Sequence, residues 1–237
     1  MKLLHTKADV QSWTKKIQTQ GSTICLVPTM GFFHAGHLAL MKKAGTIADT
    51  VLVTLFVNPS QFAPGEDLSS YPRDFAADCK KAESVGIDAL FCPDVEEMYP
   101  QECQTSIGVA ILSHQLCGLS RPTHFNGVAT VVTKLFNICR PDSAIFGEKD
   151  FQQLAVIRQM VADLNIPVKV YSLPIVREGD GLAMSSRNSY LSTGERKQAL
   201  CLSQSLRLGR ELVASGVVDS RIVIERVSAL CHDPAVT

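Results

Sequence analysis

The sequence predicts an α/β protein: a Rossmann-like, doubly wound parallel sheet with a smaller, incomplete C-terminal domain. Two observations predict it. Short apolar runs alternate with longer amphipathic stretches between residues 24 and 171, and the alternation gives way after Pro174 to two long helical stretches. The first run, Ile24-Cys25-Leu26-Val27, reads as a buried strand, residues 37–48 as a helix, and the β-branched stretch 50–57 as the next strand. Strand, helix and strand in that order make a βαβ unit, which implies parallel pairing and a right-handed crossover. The pattern repeats as helix 74–85 and strand 89–92, helix 128–138 and strand 144–146, helix 151–164 and strand 168–171. Helices follow at 194–213 and 220–230. A domain boundary is expected at Ile175-Val176, giving domains 1–175 and 176–237; the second is short for an independent unit and stops abruptly at Asp233-Pro234-Ala235-Val236-Thr237.

Composition narrows the class. Of 237 residues, 46% are hydrophobic and 19% charged, which is a folding composition rather than a disordered one. Lys plus Arg and Asp plus Glu are 23 each, so the formal net charge is zero. Nothing in that balance calls for a nucleic-acid partner or an acidic membrane, which usually require a basic excess. There is no apolar run of membrane-spanning length and no signal-peptide pattern, so the expectation is a cytoplasmic protein. The eight cysteines include no Cys-x-x-Cys pair and are expected to be reduced, mostly buried small hydrophobes, with no zinc site.

Four segments carry chemistry. Met30-Gly31-Phe32-Phe33-His34-Ala35-Gly36-His37 lies between the first strand and its helix, where open α/β sheets bind ligands. A helix start offers N–H groups and a positive dipole end for phosphate, Gly31 and Gly36 allow close approach, and His34 and His37 could donate to a transferring phosphoryl group. Equally, the two histidines could be a helix cap and a surface residue. Asn58 and Gln61, in Phe56-Val57-Asn58-Pro59-Ser60-Gln61-Phe62, are neutral amides able to orient a hydroxyl or carboxylate; Asn-Pro is also an ordinary turn signal. In Gly147-Glu148-Lys149-Asp150, Lys149 could pair with phosphate and Asp150 help hold Mg²⁺, or the segment could be a charged loop with Asp150 as a helix cap. Met184-Ser185-Ser186-Arg187 offers two hydroxyls and a guanidinium on a glycine-flanked loop suited to clamping a triphosphate, or serves as a polar linker. Because three of the four stand at or near strand-to-helix junctions of one sheet, they are expected to converge.

The ordered set resembles the pantothenate synthetase (pantoate–β-alanine ligase) family, within the HxGH nucleotidyltransferase superfamily. The matching segments are Pro28–His37 (PTMGxxHxGH), Phe56–Phe62 (FVNPxQF), Tyr71-Pro72-Arg73, Arg121–Val128 (RPTHFNGV), Phe146–Leu154 (FGEKDxQQL) and Gly181–Leu191 (GLAMSSRNxYL). The resemblance implies a homodimer that uses ATP and Mg²⁺ to join pantoate to β-alanine through pantoyl-adenylate. It implies ATP contacts from Met30 to His37, Gly147 to Asp150, Val176 and Met184 to Arg187. It also implies pantoate contacts from Gln61 and Gln153, a proton-donor role for His37, and a C-terminal domain that closes over the nucleotide and continues beyond Thr237. His34, His37, Lys149 and Arg187 are the catalytic candidates, and Asn58 joins the two glutamines in the substrate site; no residue is assigned as a metal ligand. Competing readings are an adenylyltransferase that leaves AMP on a phosphate acceptor, and a nucleotide-binding module without catalysis.

Overall fold

A computed structural model of the chain describes residues 1–231. The strands are β1 (Lys2–Leu4), β2 (Ile24–Thr29), β3 (Thr50–Leu55), β4 (Ala89–Phe91), β5 (Ser143–Gly147) and β6 (Lys169–Leu173). They form one sheet in the order β1-β4-β3-β2-β5-β6, with every pairing parallel. The helices are α1 (Lys7–Thr19), α2 (Ala35–Ala44), α3 (Phe75–Ser84), the single turns α4 (Val95–Met98) and α5 (Cys117–Ser120), α6 (His124–Cys139), α7 (Phe151–Asp163), α8 (Thr193–Ala214) and α9 (Ser220–Cys231).

The apolar run in β2 shows why the sheet is covered on both faces. Side chains alternate across a strand, so Ile24 and Leu26 enter one core with residues of α1, α6 and α7, while Cys25 and Val27 enter the other with residues of α2. All four are fully buried, as expected of a parallel strand between two helix layers. Burying a Leu or Ile in this way contributes roughly 1.5–3 kcal/mol.

The differences from expectation are local. Neither β1 nor α1 is anticipated: β1 is three residues long, and α1 is announced only by a capping box in which Thr6 accepts from the Asp9 N–H and Asp9 accepts from the Thr6 N–H. Helix α2 starts at Ala35 rather than 37 because His34 caps it, and α6 starts at His124, four residues earlier than its apolar pattern suggests. All eight cysteines are free, but only Cys25 and Cys139, in apolar elements, are buried; Cys103 and Cys117 are exposed on polar segments. Among the described residues no cluster of His, Cys, Asp or Glu could hold a metal, and no helix is long and apolar enough to cross a membrane.

The chain divides into two compact units, Met1–Ile175 and Val176–Thr237. The second is a small hairpin, a 3-10 turn at Ser186–Tyr190, and the paired helices α8 and α9. Gly209 lets those helices close up: a Cβ there would already touch Val227 at 3.4 Å. The terminal residues Asp233 to Thr237 lie outside the described residues.

Candidate active site

The topology creates a crevice. β2 and β5 are neighbours, but β2 leads through α2 to β3 on one side, and β5 leads through α7 to β6 on the other. Right-handed crossovers in opposite directions put α2 and α7 on opposite faces, and their side chains do lie in different cores. The chain therefore splays apart at the carboxyl ends of β2 and β5, the switch point at which such sheets bind ligands. Residues 30–37 leave one strand there, residues 148–150 leave the other, and residues 56–62 leave the adjacent β3.

His34 is the N-cap of α2: its Nδ1 accepts the Gly36 N–H at 3.2 Å, and His37 Nδ1 accepts the His34 N–H at 3.3 Å. The two rings stack with centroids 4.0 Å apart. Capping and phosphate recognition are thus compatible. With each Nδ1 accepting, the neutral rings carry their proton on Nε2, the nitrogen that can donate. Burial, then the neighbouring His34, Lys149 and Lys81, push the His37 pKa down to about 3. His37 is consequently a neutral hydrogen-bond donor at pH 7, and its tautomer is set by the helix cap.

In the turn before the helix, two backbone N–H groups are held by a carboxylate from α3. Asp78 of α3, 1% exposed, accepts the Phe32 N–H on Oδ2 at 2.7 Å and the Phe33 N–H on Oδ1 at 2.6 Å. Desolvation raises its pKa, against the lowering effect of those two bonds. Lys81, one turn further along α3, donates to the Phe33 carbonyl at 2.7 Å.

The amide pair is also oriented. Asn58, 1% exposed, donates from Nδ2 to Gln61 Oε1 at 2.9 Å and to the Gly127 carbonyl at 3.2 Å, while its Oδ1 accepts from the Ser60 hydroxyl at 2.9 Å. Gln61 therefore turns its Nε2 end, a donor, away from Asn58. Gly127 brings α6 against this turn; a Cβ there would lie 2.2 Å from the Ser60 carbonyl oxygen. Arg121 and His124 both donate to the Gln61 carbonyl, at 3.2 and 2.9 Å, and Arg121 forms a two-bonded pair with Glu66 that holds the Glu66 pKa below its usual range. His124 thus carries its proton on Nδ1, the opposite of His34 and His37.

At the end of β5, the Glu148 carboxylate accepts from Ser172 on β6 at 2.8 Å. Lys149 and Asp150 are exposed and pair with each other at 3.2 Å. Asp150 makes no side-chain cap to α7, so its expected alternative role as an N-cap is not realised; its carboxylate faces Lys149 instead. Gln153 stands half-buried in the first turn of α7, and among the described residues its side chain makes no hydrogen bond. Its neighbour Gln152 bonds the Leu112 and Gln115 carbonyls and the Cys117 N–H, in the segment that precedes α6.

Within the second unit, Val176 and Met184 face each other across the hairpin, with the Met184 N–H on the Val176 carbonyl at 3.0 Å. Ser185 caps the 3-10 turn by accepting the Arg187 N–H at 3.3 Å, and Ser186 is buried. Arg196 of α8 bonds Glu178 at 2.7 Å and Asp180 at 2.6 Å, and Asn188 bonds Glu178 and the Ala183 carbonyl, so the loop is pinned at several points.

The structure thus brings His34 and His37 together, with Lys149 close enough to act on the charge of His37, and sets Asn58 against Gln61. Asp78, Lys81 and Arg196 were missed. Each reaches a motif from a helix well removed in sequence or carrying no signature of its own; only Arg121 and His124 lay in a segment already singled out.

Comparison with known proteins completes the picture. The family model described as pantoate-beta-alanine ligase matches residues 2–234. A pantothenate synthetase of Desulfotalea psychrophila is 52% identical over 98% of this chain and 83% of its own length; that of Desulforapulum autotrophicum is 55% identical over 96% and 80%. Among solved structures, a pantothenate synthetase from Thermus thermophilus superposes with a TM-score of 0.91 at 45% identity, covering 96% of this chain and 82% of that one. A pantoate-beta-alanine ligase from Francisella tularensis, complexed with beta-gamma ATP and beta-alanine, superposes at 0.85 with 33% identity over 97% and 86%. A match running from residue 2 to residue 234, with relatives more than half identical, settles what the crevice had narrowed: this chain belongs to the pantoate–β-alanine ligase family.

Proposed function

We infer that this chain is an AMP-forming ligase that uses ATP to condense pantoate with β-alanine through pantoyl-adenylate. The observation that carries this reading is the stacked imidazole pair at the β2–β5 switch point, two fixed Nε2–H donors beside Lys149, in a chain of the ligase family. When the pantoate carboxylate attacks the α-phosphorus, charge builds on phosphate oxygens and pyrophosphate leaves. Preorganised donors and cations stabilise that charge most where water is excluded. His34, His37 and Lys149 take this role in the first unit, and Arg187 with Ser185 and Ser186 contributes from the second. Because His37 is neutral, it acts first by donating a hydrogen bond rather than by delivering a proton.

Met30 to His37, Gly147 to Asp150, Val176 and Met184 to Arg187 are assigned to the nucleotide. Residues 1–175 form the nucleotide- and pantoate-binding domain, and residues 176–237 serve as its lid. Gln61 and Gln153 are assigned to pantoate, with Asn58 holding the Gln61 amide so that its donor end meets the substrate. In the second half-reaction the β-alanine amine attacks the acyl carbon and AMP leaves. Orientation dominates there, worth up to ~7–11 kcal/mol in favourable cases.

Mg²⁺ suits this site as an ion carried by the triphosphate. The described residues supply no three-ligand cluster, and Mg²⁺ commonly binds through one or two carboxylates plus phosphates and water. Asp150, the exposed carboxylate that follows β5, would help hold it, and the ion would neutralise phosphate charge. The protein is further proposed to be a cytoplasmic homodimer.

AMP release, measured with and without pantoate and β-alanine, tests the reading. Pyrophosphate should require pantoate, and free AMP should require both. A dinucleotide-like product, or ATP binding without pyrophosphate release, overturns it.

A further inference from the structure

We propose that Asp78 is a positioning residue for adenylate formation: its carboxylate locks the Gly31–Phe33 turn and thereby aims the two imidazoles that follow. The turn is not one the backbone prefers. Gly31 has φ +86° and Phe32 φ +51°, and a bulky side chain rarely takes positive φ unless the surroundings impose it. What imposes it here is the pair of bonds from the Phe32 and Phe33 N–H groups to the two oxygens of one buried carboxylate, 2.7 and 2.6 Å long. Gly31 is packed against the same group: a Cβ there would lie 3.1 Å from Asp78 Oδ2 and 3.2 Å from Leu55. Lys81 holds the Phe33 carbonyl, so α3 fixes both sides of that residue. His34 comes next as the N-cap, and its position sets the stacking of His37.

Successive backbone N–H groups converging on one point form a nest that binds anions. In this chain the nest is filled by the protein's own carboxylate, which denies it to phosphate and leaves the triphosphate to the imidazole Nε2–H donors. Asp78 touches neither substrate nor reacting atom in this account. It acts through the turn, and a displacement of about 1 Å at such a distance from the chemistry can cost on the order of 10²-fold in rate.

The proposal rests on the ligase reading, and one set of experiments separates the two. Asp78→Asn keeps the shape but gives one of the two N–H groups an amide NH₂ in place of an acceptor. Single-turnover pyrophosphate release should fall roughly 30- to 100-fold. Attack of β-alanine on supplied pantoyl-adenylate should stay within about threefold, because that step depends on orientation of the bound acyl group. Phe32→Gly in the Asp78→Asn background should recover at least about tenfold of the lost rate, since glycine takes positive φ without strain. A merely structural role would lower both half-reactions together and show no such recovery. Amide exchange at Phe32 and Phe33 in the unaltered protein should be strongly protected, a readout that survives if the variant fails to fold. Unchanged adenylation in Asp78→Asn, equal losses in both half-reactions, no recovery by Phe32→Gly, or fast exchange at the two amides each overturns it. Absence of pantoate-dependent pyrophosphate release in the unaltered protein would instead overturn the ligase reading.

Discussion

Asn58→Asp should reverse the polarity that Gln61 shows to its substrate. In the native turn, Asn58 Nδ2 donates to Gln61 Oε1 at 2.9 Å and to the Gly127 carbonyl at 3.2 Å, and so turns Gln61 Nε2, the donor end, away from itself. A carboxylate at position 58 offers oxygens to both of those oxygens. Gln61 relieves the clash by flipping its amide, which turns Oε1 toward the pantoate carboxylate or hydroxyl. A hydrogen bond to a charged group contributes about 1.5–3 kcal/mol, so losing it should weaken pantoate roughly 10- to 150-fold. Repulsion between the added buried charge and the substrate carboxylate acts in the same direction. Calorimetric titration of pantoate and of ATP, each alone, reads the effect, and ATP affinity should move by less than about threefold. A pantoate Kd within about threefold of the unaltered protein, or an equal loss for ATP, would refute the idea that Asn58 sets the amide's direction.

Three further outcomes follow from the geometry. The depressed pKa of His37 means that the folded state resists its protonation, so its contribution to stability is complete above about pH 6.5 and is lost as pH falls toward 3; unfolding midpoints across that range should drop more steeply for the unaltered protein than for His37→Gln, and parallel curves would contradict the burial argument. Gly127→Ala puts a methyl 2.2 Å from the Ser60 carbonyl oxygen, a backbone clash expected to cost about 1–3 kcal/mol in urea unfolding and to weaken pantoate, whereas an unshifted midpoint would show that α6 and the turn can separate freely. Arg196→Met leaves Glu178 and Asp180 without the cation that bridges them, so amide exchange should quicken across residues 178–188 while that of β5 stays unchanged; no acceleration would mean that the hairpin holds itself.

The sequence by itself determined the sheet's core strands and the chemistry class. Ile24 to Val27 read as a buried strand, because no polar residue interrupts it; the Asn-Pro turn and the glycine-bearing junctions marked where ligands could approach. These signals live in windows of a few residues, where periodicity and turn chemistry act directly. The three-residue β1 lay below that resolution: its pairing with β4 depends on a partner some ninety residues away.

What only the tertiary structure decided was the state of each functional group. The histidines were legible as candidates, but not that their Nδ1 atoms are engaged in the cap, which puts the ring protons on Nε2. Gln61 was legible as an amide, but its direction comes from Asn58 and from a carbonyl 69 residues from Asn58 along the chain. Asp78 looked like any helix carboxylate until folding placed it on two N–H groups 45 and 46 residues earlier. Residue identity fixes which protons a group can hold or give; desolvation and hydrogen bonds across the packed chain decide which of them it does, and neither exists before the chain has closed around the site.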